Sequence, residues 1–202
     1  MNRPEAIIFD LGKVLVDFDY SIVGRRVAAR GRLNSAEVQH LIDHSPLLFR
    51  YETGAMSREE FYRAVCAATG YEGTLDEFAL AFADIFTPIA RMVELHAELR
   101  RRRVPAFIFS NTNDLAVDHI RGNFPFFSDF DGYVLSYEQR AMKPDERIYQ
   151  AVETMTGRHE DRLLYLDDRP ENIAAGAVRG WQTLLHQDAQ KTWAHFRALG
   201  LV

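Results

Sequence analysis

Short apolar runs recur along the chain, and segments with helical periodicity separate them. The runs are AIIF at residues 6–9, PAFIF at 105–109, GYVLS at 132–136, LLYL at 163–166 and QTLL at 182–185. Each run is continuously apolar rather than alternating, which is typical of strands covered on both faces, as in a parallel sheet. Strands that alternate with helices predict an α/β fold with a five-stranded parallel sheet.

The long segment between the first two runs shows helix signals and no convincing strand pattern. These signals are two capping-box pairs and one apolar stripe: Ser57 with Glu60, Thr74 with Glu77, and Phe78 with Phe82 and Ile85. The connection is far longer than the usual helical crossover between parallel strands. We therefore predict a helical cap at residues 18–87, inserted into a core formed by residues 1–17 and 88–202.

A further helix is predicted where the chain leaves this segment. Pro88 suits the first helical position, and apolar residues from Ile89 to Leu99 mark one face. Four arginines at 100–103 follow, and cations there complement the negative end of the helix dipole. The arginine run is thus expected to be a solvated helix end rather than a binding patch.

Composition narrows the class of protein. The chain has 202 residues, is 47% hydrophobic and carries a formal net charge of −5, which argues against a nucleic-acid partner. No segment approaches the roughly 20 apolar residues of a membrane span, and the N-terminus lacks a signal-peptide pattern. Cys66 is the only cysteine, which excludes an internal disulfide. We expect a soluble cytoplasmic protein without membrane partners, either a monomer or a weak dimer.

Polar residues directly follow three of the predicted strands. They are Asp10, Ser110 and the adjacent pair Asp167 and Asp168. Taken singly, a strand-end aspartate is usually a turn former and Ser110 a helix N-cap. Because ligands bind at the carboxyl ends of strands in an open parallel sheet, their shared position predicts one functional site.

Four motifs stand in a fixed order: AIIFDLGKVLVD, FIFSNTND, the lysine of AMKPDERIY, and LLYLDDRPEN. In these motifs the chain resembles the haloacid dehalogenase superfamily from end to end. It is most similar to bacterial sugar-phosphate phosphatases, a group that includes an α-D-glucose-1-phosphate phosphatase, and the YETGAMSREEF stretch is similar to a segment of that group. The resemblance implies a Rossmann-like core, an inserted helical cap, and a phosphatase that acts on small phosphorylated metabolites such as glucose 1-phosphate.

The resemblance also implies catalytic roles. Asp10 would attack phosphorus as a carboxylate and form an aspartyl-phosphate, which divides one difficult displacement into two easier ones. Ser110 and Asn111 would bind the phosphate oxygens. Lys143 would neutralise both the attacking carboxylate and the phosphate.

A Mg²⁺ site is the second implication of the resemblance. Its ligands would be Asp10, the backbone carbonyl of Gly12 and an aspartate of the adjacent pair. We favour Asp168 as the direct ligand and Asp167 as the residue that holds Lys143 or a metal-bound water, although the sequence leaves the choice open. Two adjacent carboxylates repel each other without a cation, which itself argues for a metal. The alternative role of the pair is to cap the following helix.

Gly12 departs from the superfamily pattern, which usually has a second aspartate at this position to protonate the leaving alcohol. General acid–base catalysis is worth about 10² to 10⁴ in rate, so this change has consequences. Either a residue of the cap or the nearby Asp17 could supply the proton instead, and Asp17 is our preferred candidate for a substitute acid. The alternatives are that Asp17 and Asp19 shape a turn or cap a helix, or that a good leaving group reduces the need for a proton.

Three further residues, Arg50, Tyr51 and Glu52, precede Gly54 and are expected on a cap loop. They are either substrate contacts or ordinary surface residues, since loops carry both function and variation.

The resemblance also bears on the class of enzyme. Haloacid dehalogenases lack the acidic metal pair, so the presence of Asp167 and Asp168 argues against a dehalogenase. The alternative to a phosphatase is a degenerate member that binds a phosphometabolite or a protein partner without efficient turnover.

Overall fold

The computed structural model describes residues 3–202. Its strands are β1 (Ala6–Phe9), β2 (Val16–Phe18), β3 (Phe86–Pro88), β4 (Ala106–Ser110), β5 (Gly132–Leu135), β6 (Leu163–Asp167) and β7 (Gln182–Leu185). Its helices are α1 (Tyr20–Ala28), α2 (Ser35–His44), α3 (Pro46–Glu52), α4 (Arg58–Thr69), α5 (Leu75–Ala83), α6 (Ala90–Arg101), α7 (Asp114–Asn123), α8 (Ser136–Gln139), α9 (Glu146–Thr156), α10 (Pro170–Val178) and α11 (Ala189–Ala198). Short 3₁₀ helices cover Pro125–Asp129 and Glu160–Arg162.

Five strands form a parallel sheet in the order β5-β4-β1-β6-β7. The central strand β1 pairs with β4 on one side and β6 on the other, so that Ile8 lies opposite both Phe107 and Tyr165. All residues of these three strands are buried, which explains why their sequences are continuously apolar. The predicted α/β fold with a parallel five-stranded sheet is confirmed.

Each face of the sheet packs against its own helices. Ile7 and Phe9 belong to a core that includes Met92 of α6 and Phe196 of α11. Neighbouring residues of β1 point the other way, because side chains alternate along a strand, and Ile8 joins a second core with residues of α9. The sheet is therefore buried between two helical layers, with its strand ends left accessible at the carboxyl edge.

Helices α1–α5 form a separate helical layer between β2 and β3. Aromatic residues dominate its core, with Phe78 and Phe82 stacked on each other and both in contact with Phe61. Both predicted capping boxes are formed, at Ser57 for α4 and at Thr74 for α5. This layer coincides with most of the segment that we predict to be a cap.

Two short strands were missed in the sequence, and the predicted start of the helix at Pro88 was wrong. Residues 86–88 form β3, which pairs antiparallel with β2, and α6 begins only at Ala90. Three-residue strands are too short to produce a recognisable period, and proline is tolerated in a two-stranded ribbon because each strand is an edge. The ribbon lies at both crossings between the helical layer and the sheet.

The arginine run ends α6 as predicted. Arg100 forms an ion pair with Asp131 at 2.6 Å, and the next two arginines pair with Glu98 within the helix. No helix within residues 3–202 is both long and apolar enough to cross a membrane.

Replacing Phe78 with alanine should destabilise the helical layer. The side chain is fully buried among aromatic rings, so its loss should lower the free energy of unfolding by about 3–5 kcal/mol, measured by urea unfolding followed by far-ultraviolet circular dichroism. Leu80→Ala on the same helix is the matched control, because Leu80 is 62% exposed and should change stability little. Equal losses in the two variants would contradict this account of the core.

Candidate active site

The carboxyl edge of the sheet brings the predicted site residues together. Asp10 follows β1, Ser110 ends β4, and Asp167 ends β6 with Asp168 directly after it. A cavity of ≈ 440 Å³ opens at this edge. The sequence-predicted residues that line it are Asp10, Gly12, Glu52, Ser110, Asn111, Lys143 and Asp168.

Asp10 is held rigidly at the end of the central strand. Its backbone N–H donates to the carbonyl of Leu166 at 2.9 Å, and its Oδ1 accepts from the N–H of Leu11 at 2.7 Å. Burial raises the pKa of this carboxyl, and the charge of Lys143 opposes that rise. A cation bound beside Asp10 would favour the ionised form that a nucleophile requires.

Lys143 places a buried ammonium between two carboxylates. Its Nζ lies 2.9 Å from Asp10 Oδ1 and 2.7 Å from Asp167 Oδ2, and it also donates to the carbonyl of Phe109 at 2.9 Å. Burial alone would lower the pKa of Lys143, but the two carboxylates outweigh it and the pKa lies above its usual value. Lys143 is therefore charged, and its three N–H groups are fully used in this arrangement.

Asn111 fixes the loop that carries Lys143. Its side-chain oxygen accepts from the backbone N–H of Lys143 at 2.7 Å, and its Nδ2 donates to the carbonyl of the same residue at 3.1 Å. This double contact, which the sequence did not reveal, gives the Asn111 side chain a positioning role. Ser110 is buried beside it and lines the cavity.

Asp167 is saturated with donors from the protein. Besides Lys143, its carboxylate accepts from the N–H of Arg169 at 2.8 Å, from Asn172 Nδ2 at 3.1 Å and from the hydroxyl of Tyr165. Burial opposes its ionisation, but Lys143 and these hydrogen bonds hold its pKa below the usual value. Asp167 is therefore a fixed anion that orients Lys143.

Asp168 differs from its neighbour because it is partly exposed and lines the cavity. Burial, and then the charge of Asp167, raise its pKa. Carboxylate oxygens of Asp10, Asp167 and Asp168 lie within 4.8 Å of one another. Such a set of oxygen donors fits Mg²⁺, which prefers carboxylates and keeps several waters. Asp168 is the more available ligand of the pair, since the oxygens of Asp167 are already occupied.

The ring of Phe18 occupies the space beside Gly12. A Cβ added at Gly12 would lie 2.8 Å from Phe18 Cε1, closer than real Cβ contacts allow. The Phe18 ring is itself held by edge-to-face contact with Tyr20 and by packing on Phe86. Glycine at this position therefore leaves room for the ring of Phe18.

Asp17 lies outside the cavity. Its side chain is 63% exposed and forms an ion pair with Lys13, which holds its pKa below the usual value. Asp19 caps α1 by accepting from the N–H of Ser21 at 2.8 Å. The structure therefore gives both residues local turn and capping contacts and does not bring Asp17 among the residues that line the cavity.

The segment from Arg50 to Glu52 forms the last turn of α3 rather than a loop. Arg50 is exposed, and Tyr51 is buried against Phe61 in the helical layer. Glu52 is the member of this trio that lines the cavity. Consecutive residues of a helix point in different directions. The sequence alone could not show which of these three lies towards the sheet.

Several contacts that the sequence did not predict tether the helical layer to the core. Arg58 lies 2.6 Å from both Asp114 and Asp118 of α7, and the hydroxyl of Tyr51 bonds to Asp114. The hydroxyl of Ser136 lies 2.6 Å from the carbonyl of Glu52. These residues carry no local signature, because their partners are distant in sequence.

Comparison with known proteins identifies the family. The model of the haloacid dehalogenase-like hydrolases matches residues 4–180. The chain belongs to this family. The predicted superfamily is thereby confirmed, whereas nothing singles out a glucose-1-phosphate phosphatase within it.

Curated relatives of this hydrolase include phosphatases and dehalogenases. The sesquiterpene phosphatase astK of Aspergillus oryzae is 25% identical over 96% of each chain. The D-ribitol-5-phosphate phosphatase of Bacteroides thetaiotaomicron is 26% identical, covering 88% of this chain and 89% of its own. An (S)-2-haloacid dehalogenase of a Pseudomonas species is 24% identical, covering 91% of this chain and 82% of its own.

A solved structure confirms the fold of the hydrolase. It is a haloacid dehalogenase-family enzyme from Bacteroides thetaiotaomicron in complex with magnesium and inorganic phosphate. The TM-score is 0.82 at 23% identity, with 96% of this chain and 98% of the other covered.

Lys143→Met should destabilise the protein in a pH-dependent way. Without the ammonium, two buried carboxylates face each other, and the loss should be about 3–5 kcal/mol at pH 8 in the presence of a chelator. Their folded-state pKa values would rise above those of the unfolded chain, so the folded state would bind more protons and the deficit should shrink as the pH falls towards 5.

Urea unfolding of wild type and variant at both pH values measures this difference. Lys191→Met is the matched control, because the side chain of Lys191 is 68% exposed and its removal should cost little at either pH. A deficit that stays constant between pH 5 and pH 8 would contradict the assigned charge arrangement.

Proposed function

We propose that this hydrolase is a Mg²⁺-dependent phosphatase that cleaves a small phosphomonoester of the sugar-phosphate class, such as glucose 1-phosphate, through an aspartyl-phosphate on Asp10. The observation that carries the proposal is the convergence of Asp10, Lys143 and Asp168 on one cavity. Its volume of ≈ 440 Å³ suits a small metabolite.

In the first step a carboxylate oxygen of Asp10 attacks phosphorus, and the bond from phosphorus to the leaving oxygen breaks. Lys143 balances the charge of the nucleophile, and Ser110, which lines the same cavity, would donate its hydroxyl to a phosphate oxygen. Asp10, Asp168 and the carbonyl of Gly12 would hold the Mg²⁺, which when bound neutralises charge on the phosphate.

In the second step water attacks the phosphorus of the aspartyl-phosphate. The bond from phosphorus to Asp10 breaks, which releases inorganic phosphate and regenerates the carboxylate. Because water has to be excluded until the first step is complete, we propose that residues 18–87 act as a cap over a core of residues 1–17 and 88–202.

The relatives support phosphoryl transfer and a small substrate. Two of them are named for the phosphate esters of a sugar alcohol and of a sesquiterpene, so the shared element is the phosphoester rather than the carbon skeleton. The carboxylate cluster favours phosphatase over dehalogenase chemistry in this chain, because it could hold a metal cation that neutralises the charge of a phosphate.

Asp10→Asn should abolish phosphate release while leaving the fold intact. The amide cannot act as the nucleophile, so kcat should fall by about 10³-fold or more. The measurement is phosphate release from a panel of sugar phosphates that includes glucose 1-phosphate, with Mg²⁺ and with a chelator, which should also stop turnover by the wild type.

Asp76→Asn provides the matched control, because Asp76 lies exposed on α5 and is not among the residues that line the cavity. It should retain wild-type turnover. Normal turnover by Asp10→Asn would refute the nucleophile. A folded wild-type protein that binds Mg²⁺ or phosphate but hydrolyses no member of the panel would instead favour a binding function.

A further inference from the structure

The leaving oxygen of an ordinary phosphate ester needs a proton, and few groups around the cavity can supply one. We propose that Glu52, at the end of α3, is the general acid and base of this hydrolase. Its carboxyl protonates the leaving oxygen as the bond to phosphorus breaks. Its carboxylate then takes a proton from the water that attacks the aspartyl-phosphate, which restores the starting state. This inference rests on the proposed phosphatase function.

Elimination among the described cavity residues leads to Glu52. The titratable groups that line the cavity are Asp10, Lys13, Tyr20, Glu52, Lys143, Asp168 and Arg169. Asp10 is the proposed nucleophile and Asp168 a proposed metal ligand. Lysine, arginine and tyrosine ordinarily titrate at about pH 10 or above, far from neutral pH. A carboxyl in a partly apolar site is the better donor.

The fold aims Glu52 into the cavity. Leu48 and Glu52 are four residues apart on α3 and both line the cavity, so one face of the helix is turned towards the sheet. Tyr51, the preceding residue, points into the helical layer, where its ring stacks on Phe61. Glu52 and Asp10 therefore line the same cavity, one from the helical layer and the other from the sheet.

Backbone contacts fix that position. Ser136 is fully buried, and its hydroxyl accepts from the N–H of Thr112 at 2.9 Å and lies 2.6 Å from the carbonyl of Glu52. Gly54 follows at a positive φ of 63°, and a Cβ there would collide with the carbonyl of Tyr137. Glycine at this position lets the turn after Glu52 lie directly against Tyr137. This contact holds the end of α3, and with it Glu52, close to the core.

The surroundings of Glu52 suit proton transfer. Burial raises its pKa to about 7, while a hydrogen bond with Asn113 limits the rise. Asn113 is itself fixed as the N-cap of α7. A carboxyl that is partly protonated at neutral pH can both give and accept a proton within one cycle.

The packing around Gly12 supports the same conclusion. The ring of Phe18 fills the space that a side chain at residue 12 would enter, and it lines the cavity as well. A side chain at residue 12 would therefore require this ring to shift. Glycine itself has no proton to give, so the proton has to come from another wall of the cavity, and Glu52 lies on the wall formed by the helical layer.

Glu52→Gln should separate substrates by their leaving groups. p-Nitrophenyl phosphate loses its leaving group without a proton, whereas glucose 6-phosphate, a primary alkyl phosphate, requires one. For the variant, kcat/KM with the alkyl phosphate should fall by about 10² to 10⁴. With the aryl phosphate, kcat/KM should stay within a few-fold of wild type.

The second step provides an independent readout. Without a base for water, the aspartyl-phosphate should accumulate, so rapid mixing of Glu52→Gln with p-nitrophenyl phosphate should give a burst near one p-nitrophenol per site, followed by slow turnover. A purely structural defect would lower both kcat/KM values together and give no burst. Either of those results would overturn the role of Glu52.

Control variants separate the possible explanations. Glu59→Gln removes an exposed carboxyl from the same helical layer and should behave as wild type. Glu52→Asp retains a shorter acid and should recover part of the alkyl-phosphate activity. A leaving-group-dependent loss in Asp17→Asn, with none in Glu52→Gln, would overturn the proposal in favour of Asp17.

Failure of this inference is distinguishable from failure of the proposed function. If wild type hydrolyses both probes and Glu52→Gln does so equally well, the phosphatase stands and Glu52 is not its acid. If wild type releases phosphate from neither probe, the proposed function falls and the role of Glu52 falls with it.

Discussion

The ion cluster around Lys143 is the constraint on which the rest of the structure depends. Burying isolated charges costs several kcal/mol each, so Asp10 and Asp167 can be ionised here only because an ammonium lies between them. Together with Asp168, the cluster has three carboxylates and one ammonium, which leaves two negative charges when all are ionised. One divalent cation would balance that charge, so the electrostatics of the cluster favour a bound metal.

Sheet topology explains why this cluster forms at all. Because β1 lies between β4 and β6, the first residue after the central strand meets those at the ends of both neighbours. The strands themselves therefore bring Asp10, Ser110 and Asp167 together, and no loop is needed to position them. Lys143 lies on a connection rather than on a strand, and its two backbone hydrogen bonds with the side chain of Asn111 hold it in place.

This topology also sets how much the sequence could predict. Continuous apolar runs identified the five strands of the parallel sheet, and the polar residues after three of them identified the position of the site, because both signals are local. Tertiary packing decided the remainder. Tyr51 and Glu52 are neighbours, and the sequence offered both as candidate substrate contacts. The orientation of α3 buries Tyr51 and leaves Glu52 lining the cavity. Asn111 likewise gained its positioning role only through a partner distant in sequence.

The two layers contribute different kinds of chemistry. The sheet presents fixed charges at the ends of paired strands, and in the proposed phosphatase these charges would bind the phosphate group that all its substrates share. With Glu52 as the acid, proton transfer belongs to the helical layer and depends on its contacts with the core through Ser136 and Asp114. An ester that needs a proton would then be cleaved efficiently only while the helical layer is in contact with the core. The layer that covers the leaving group would therefore also supply its proton.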